Sequence, residues 1–186
     1  MKVLGIVGLP GSGKGEFSKI ADQMGIPVVV MGDVIREEVR KAGLPPTDES
    51  MGIISKALRE MHGMAAIAIT CIPFVECIDS DLVLIDGLRG DAEVRVLQDH
   101  FPDFVLIAIT APDELRCSRL CNRGRSDDIT SISELHERDA RETGFGLLNA
   151  MKMADHILEN TADIEAFTKS VTSTLNALQN KNKRVS

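Results

Sequence analysis

Tryptophan and tyrosine are absent from this 186-residue chain, and phenylalanine occurs only 6 times. Base-stacking platforms of the kind that grip single-stranded nucleic acid are therefore poorly supplied. A basic excess is missing too: 28 Asp and Glu against 21 Lys and Arg give a net charge of -7. That balance argues against bulk electrostatic binding to nucleic acid or to an anionic membrane, since both need a basic surface. No apolar run approaches the ~20 residues of a membrane span. The opening MKVLGIVGLPG is interrupted by glycine and proline before a secretory apolar segment develops. The expectation is a cytoplasmic protein with neither nucleic acid nor membrane as partner, its oligomeric state unread. Cysteines are few, at Cys71, Cys77, Cys117 and Cys121. Cys117 and Cys121 are spaced to share a helix face, but no CxxC or His-x-His spacing accompanies them, so all four read as reduced thiols packed as small hydrophobes.

What is present is patterned. With 44% hydrophobic residues, the chain can bury one good core and is short for two. Apolar, β-branched runs at Lys2 to Gly8, Ile26 to Gly32, Asp81 to Gly87, Asp103 to Thr110 and, more weakly, Ala154 to Asn160 read as buried strands. Helical spacing fills the intervals, through Phe17, Ile20 and Met24 after the first run and from about Ala162 to Leu178 at the end. Strands alternating with helices predict an α/β fold, a five-stranded parallel sheet with helices on both faces. Residues 33–79 and 116–142 carry more helical pattern than single crossovers require, and read as two insertions on a core of 1–32, 80–115 and 143–179 within one domain.

Gly8, Gly11, Gly13 and Lys14 in GLPGSGKGE fit G-x-x-x-x-G-K directly after a strand and before a helix. Glycines let the backbone turn tightly and aim several N–H groups into one concavity. The following helix adds the positive end of its dipole, and Lys14 a full charge against β/γ-phosphates. Residues Gly8, Leu9, Pro10, Gly11, Ser12, Gly13, Lys14, Gly15 and Glu16 are thus expected to hold a nucleotide. Gly15 stands where a hydroxyl usually ligates Mg²⁺ directly, and Ser18, a full turn further on, is not expected to replace it.

GLPGSGKG resembles the G-x-P-G-x-G-K-G loop of adenylate kinases, which also place glycine after the lysine and hold the metal largely through water. Those enzymes usually continue with Thr where this chain has Glu16. MGDVIR resembles the G-D-x-x-R that opens their acceptor-binding helix, which implies acceptor roles for Asp33 and Arg36; alternatively Asp33 caps its helix and Arg36 forms a surface pair. IDGLRG resembles their D-G-F-P-R, one residue shorter. That likeness implies that Asp86, at a strand's carboxyl end, orders Mg²⁺ through water and that Arg89 faces the acceptor phosphate. Arg59 reads first as a solvated helix face and, more weakly, as an acceptor-site candidate.

Arg116, Arg119, Arg123, Arg125, Arg138 and Arg141 crowd one stretch of an acidic chain. Guanidiniums closing over a migrating phosphoryl stabilise its spread charge and exclude water. RLCNRGRSDD and ERDARETG resemble the short lid and following arginines of adenylate and UMP/CMP kinases. By that match Arg119 and Arg123 lie over the donor and Arg138 and Arg141 reach the transferring phosphate, while Arg116 and Arg125 stay on the surface. ADHILEN resembles the A-D-x-x-I-x-N strand of dephospho-CoA kinases, which implies that Asn160 borders the adenine, its other reading being a turn residue. Together these motifs resemble an archaeal group of P-loop kinase-like proteins. The resemblance implies an ATP- and Mg²⁺-dependent kinase for a small-molecule acceptor, foremost a nucleoside monophosphate. Transfer to the hydroxyl of dephospho-CoA, with Asp33 as base, and an ATPase or switch acting on a protein partner remain open.

Overall fold

An uninterrupted apolar strand has to be covered on both sides, and β1 (Lys2–Val7) is buried along its whole length. In the computed structural model, which describes residues 1–122 and 129–182, β1 is the centre of a parallel sheet. It pairs with β3 (Leu82–Asp86) on one side, Ile6 opposite Asp86, and with β4 (Phe104–Thr110) on the other. β2 (Val28–Val30) extends the β3 side and β5 (His156–Glu159) the β4 side, giving the order β2-β3-β1-β4-β5. The chain leaves β1 toward β2 and leaves β3 toward β4, in opposite directions. The carboxyl ends of β1 and β3 therefore flank the crevice in which an open α/β sheet binds ligands.

Strand alternation divides the core in two. Leu4 and Ile6, with Leu84 and Ile107, meet Phe17 and Ile20 of α1 (Lys14–Gln23) and Phe167, Val171 and Leu175 of α9 (Ile164–Asn182). Val3, Val7, Val83 and Ile85 face the opposite layer of α2 (Met31–Lys41), α4 (Ala66–Glu76), α5 (Asp91–His100) and α8 (Leu147–Lys152). Between α2 and α4 runs α3 (Asp48–His62), capped by Thr47, whose Oγ1 accepts the Ser50 N–H at 3.2 Å. α6 (Asp113–Cys121) and α7 (Ile132–Thr143) form a small satellite around Leu120, Ile129 and Leu135. Among the described residues no single helix is long and apolar enough to cross a membrane.

The second strand is shorter than its apolar run predicts. Pro27 has no amide and joins the sheet through its carbonyl alone, which accepts the Leu84 N–H at 2.9 Å. At the other end Met31 and Gly32 are already the first turn of α2.

Candidate functional site

The glycine loop between β1 and α1 takes its shape from what crowds it. Gly11 (φ +77°) and Gly13 (φ +115°) are left-handed, a conformation L side chains rarely adopt. A Cβ on Gly11 would stand 2.8 Å from the Arg116 carbonyl, and one on Gly13 would collide with Asn160 Nδ2. α6 and the end of β5 thus clasp the loop from two sides. Asn160 Nδ2 donates to Ser12 O at 2.9 Å, and Arg119 donates to Asn160 Oδ1 at 3.0 Å and to Asn160 O at 3.1 Å. The Lys14 and Gly15 amides have no backbone acceptor among the described residues, so α1 presents open donors to the crevice. Ser12 Oγ is buried there without a partner among the described residues.

Lys14 folds back on its own loop, its Nζ donating to Gly8 O at 2.5 Å and Leu9 O at 3.2 Å. Burial lowers its pKa to about 8, partly offset by the Asp86 and Glu142 carboxylates. Glu16 pairs with Lys19 at 3.7 Å on the outer side of α1.

Asp86 ends β3 beside the loop. Ser18 Oγ donates to Asp86 Oδ2 at 2.7 Å and to Lys14 O at 3.1 Å. Ser18, not expected to replace the hydroxyl missing at Gly15, takes a different place: a spacing of four returns it to the face of Lys14, where it holds the Asp86 carboxylate. The i, i+4 relation to Lys14 was the available signal. A single hydrogen-bonded carboxylate, open helix amides and no group of three or more acidic, His or Cys ligands among the described residues fit Mg²⁺. That ion takes one or two carboxylates and completes its shell with phosphate and water.

A cavity of about 970 Å³ opens next to Asp86. Its wall includes Arg89, Arg59, Glu93 and Phe145. Asp33 and Arg36 are not among its lining; they pair with each other on the exposed face of α2. Arg59, by contrast, is not on a solvated face. Its side chain is 16% exposed, with its guanidinium 4.9 Å over the Phe145 ring and 4.0 Å from Glu93. Glu93 is 2% exposed and accepts the Arg89 N–H at 2.7 Å; burial raises its pKa, opposed by that N–H and by Arg59. Nothing in the sequence marks Glu93 beyond its place four residues after Arg89.

Arg89 itself bridges two spaces. Its guanidinium donates to both oxygens of Glu142 at 3.2 Å, and it lines a second cavity of about 580 Å³ with Arg138, Arg141, Glu134, Glu137 and Glu142. Arg123 and Arg125 lie outside the described residues. Arg116 is a correction to the sequence reading: only 1% exposed, it donates to Asp139 at 2.6 and 2.9 Å, to Asp113 at 2.8 Å and to Pro10 O at 3.0 Å. It is the strut between loop, α6 and α7.

Comparison with known proteins bears on this arrangement. The AAA domain family matches residues 7–136. A UPF0200 protein of Methanoregula boonei is 58% identical over 179 residues, covering 96% of this chain and 98% of the relative. A UPF0200 protein of Methanoculleus marisnigri is 53% identical, covering 94% and 96%. Among solved structures, shikimate kinase from Bacteroides thetaiotaomicron superposes with a TM-score of 0.65 at 14% identity, over 96% of this chain and 98% of that one. Dephospho-CoA kinase from Campylobacter jejuni gives 0.63 at 17% identity, over 98% and 100%. At such identities the likeness is one of fold.

Proposed function

This chain belongs to the UPF0200 family and carries an AAA domain on a P-loop kinase fold, and from that premise we propose that it is an ATP-dependent phosphotransferase for a small cytoplasmic acceptor, foremost a nucleoside monophosphate. One observation carries the reading: the Lys14 loop, Asp86 and Arg89 converge at the carboxyl ends of β1 and β3, and a cavity large enough for a second substrate opens beside them. A nucleotide-dependent switch would need the loop and Asp86 but not that cavity.

In this reading the loop amides and Lys14 bind the β- and γ-phosphates of ATP, and Lys14 exchanges the carbonyls of Gly8 and Leu9 for phosphate oxygens. Asp86 and the phosphates would hold Mg²⁺, which would supply charge neutralisation for the transfer. Asp86, fixed by Ser18, would hold that ion through water. Arg119 and Asn160 brace the donor end of the loop. An acceptor oxygen displaces ADP from the γ-phosphorus in line, while Arg89 on one side and Arg138 and Arg141 on the other face the moving charge. A monophosphate oxygen is already anionic, so no general base is required. Asp33, paired with Arg36 and outside the cavity lining, supports no base for a hydroxyl acceptor.

The test is to incubate the protein with ATP, Mg²⁺ and separate nucleoside monophosphates, dephospho-CoA or no acceptor. ADP formed in step with a phosphorylated acceptor supports the proposal; ADP and free phosphate at a rate no acceptor changes would replace it with a switch.

A further inference from the structure

The Arg59 side chain is 16% exposed, yet it donates no hydrogen bond to a described residue. Its Nε alone among its nitrogens is buried without a partner among the described residues. Its ion pair with Glu93, at 4.0 Å, is too long for a hydrogen bond. A donor left unused at such burial is costly, and native structures rarely keep one without a missing acceptor. Phe145 packs under the guanidinium at 4.9 Å and Glu93 stands behind it, so the group is held in place while its donors remain available. It lines the same cavity as Arg89; burial lowers the Arg59 pKa, Glu93 opposes that and the nearby Arg89 charge adds to it, and Lys56 also lines the cavity beside the carboxylates of Asp48, Glu60, Asp86 and Glu93. Two guanidiniums this near to each other are stabilised by an anion between them.

Resting on the phosphotransferase reading above, we propose that Arg59, paired with Arg89, grips the anionic group of the acceptor, the position that motif likeness gives to Arg36. The bidentate fork of a guanidinium suits a phosphate monoester and a carboxylate alike. The shared chemistry is thus a small acceptor with one anionic end, lying between α3 and the loop after β3. Glu93 is a positioning residue: it aims Arg59 and, through the Arg89 amide, fixes the turn that carries the second guanidinium.

The experiment saturates the full chain with a non-hydrolysable ATP analogue and Mg²⁺. It then titrates it calorimetrically with AMP, GMP, CMP and UMP, with inorganic phosphate, and with shikimate and gluconate as carboxylate probes. We expect one of these classes to bind, and Arg59→Ala to weaken it about 10- to 100-fold while affinity for the ATP analogue alone holds. Phosphates and carboxylates separate as sources by which arm responds. Because Arg59→Ala strands the buried Glu93, Arg59→Gln and the Arg59→Ala/Glu93→Gln pair are measured beside it, with melting temperatures; the same loss in a variant that melts with the wild type confirms a binding role. An anion held equally by wild type and these variants, or lost on Arg36→Ala in their place, overturns the assignment and leaves the kinase reading standing. ATP analogue bound with no anion following would remove the acceptor site and this inference together.

Discussion

Replacing Arg116 by methionine tests how the phosphate loop is held. The side chain is 1% exposed and makes four hydrogen bonds, two of them to Asp139, whose own side chain is 16% exposed. Asp113 matters little to the outcome: it is 47% exposed and His136 lies 3.0 Å away as an alternative partner, and exposed pairs contribute about 0–1 kcal/mol. Asp139 has no such relief. Breaking a buried pair by removing one partner costs about 3–5 kcal/mol because a charge is left uncompensated. For a chain of this size that corresponds to a fall in melting temperature of about 6–20 °C, at roughly 2–4 °C per kcal/mol. Methionine fills most of the volume, so the loss is electrostatic rather than a cavity. The Pro10 carbonyl also loses its donor, and the loop should bind nucleotide more weakly even where the protein is folded. Urea denaturation of Arg116→Met, Asp139→Leu and the double variant, with and without ADP, gives the coupling directly. Because an ion pair replaced whole by apolar groups is often neutral, the double variant should recover more than half of the loss. A single variant within about 0.5 kcal/mol of wild type, or a strictly additive double, would refute the argument that Arg116 is a buried strut.

Other expectations follow from the same geometry. Lys14→Ala should lower turnover about 10²- to 10³-fold, as removing one preorganised charge-stabilising donor does, measured as ADP release. With its pKa lowered from 10.5 to about 8, Lys14 in the free protein loses its proton before an unfolded lysine does, so this group's contribution to stability rises with pH between those values. Affinity for the ATP analogue runs the other way, falling about 10-fold per pH unit above 8 where only the ammonium form binds, and titrations from pH 7 to 9.5 should lose that slope in Lys14→Met. Ser18→Ala should leave the fold intact and raise the Mg²⁺ needed for half-maximal turnover about 10-fold, the cost typical of removing a partner behind a metal's carboxylate; an unchanged Mg²⁺ curve would end its role. Gly13→Ala should abolish nucleotide-dependent thermal stabilisation, since the new methyl collides with Asn160.

Periodicity and breakers carry the fold well. The runs at Lys2 to Gly8, Asp81 to Gly87 and Asp103 to Thr110 are long, apolar on both faces and closed by glycine, proline or a polar turn, so their strands and the parallel sheet are legible. The loop at Gly8–Gly15 is legible for the same reason: its chemistry is local in sequence. What sequence does not disclose is which of several charged side chains turns inward. Arg36 and Arg59 each sit on amphipathic helices, and only packing decides that Arg59 lies over Phe145, from a different segment, while Arg36 stays with Asp33 in solvent. Arg116 is misread because a guanidinium is normally outside; its burial depends on Asp139, 23 residues on, and on the Pro10 carbonyl, 106 residues back.

The clasp on the glycine turn joins opposite ends of the polypeptide. Asn160 reaches Ser12 across 148 positions, and the Lys2 ammonium meets the Leu178 carbonyl across 176. A nascent chain emerging from a ribosome therefore owns the whole glycine motif long before it owns the amide that props it open. The shape of the glycine turn is complete only with the end of the last strand in place.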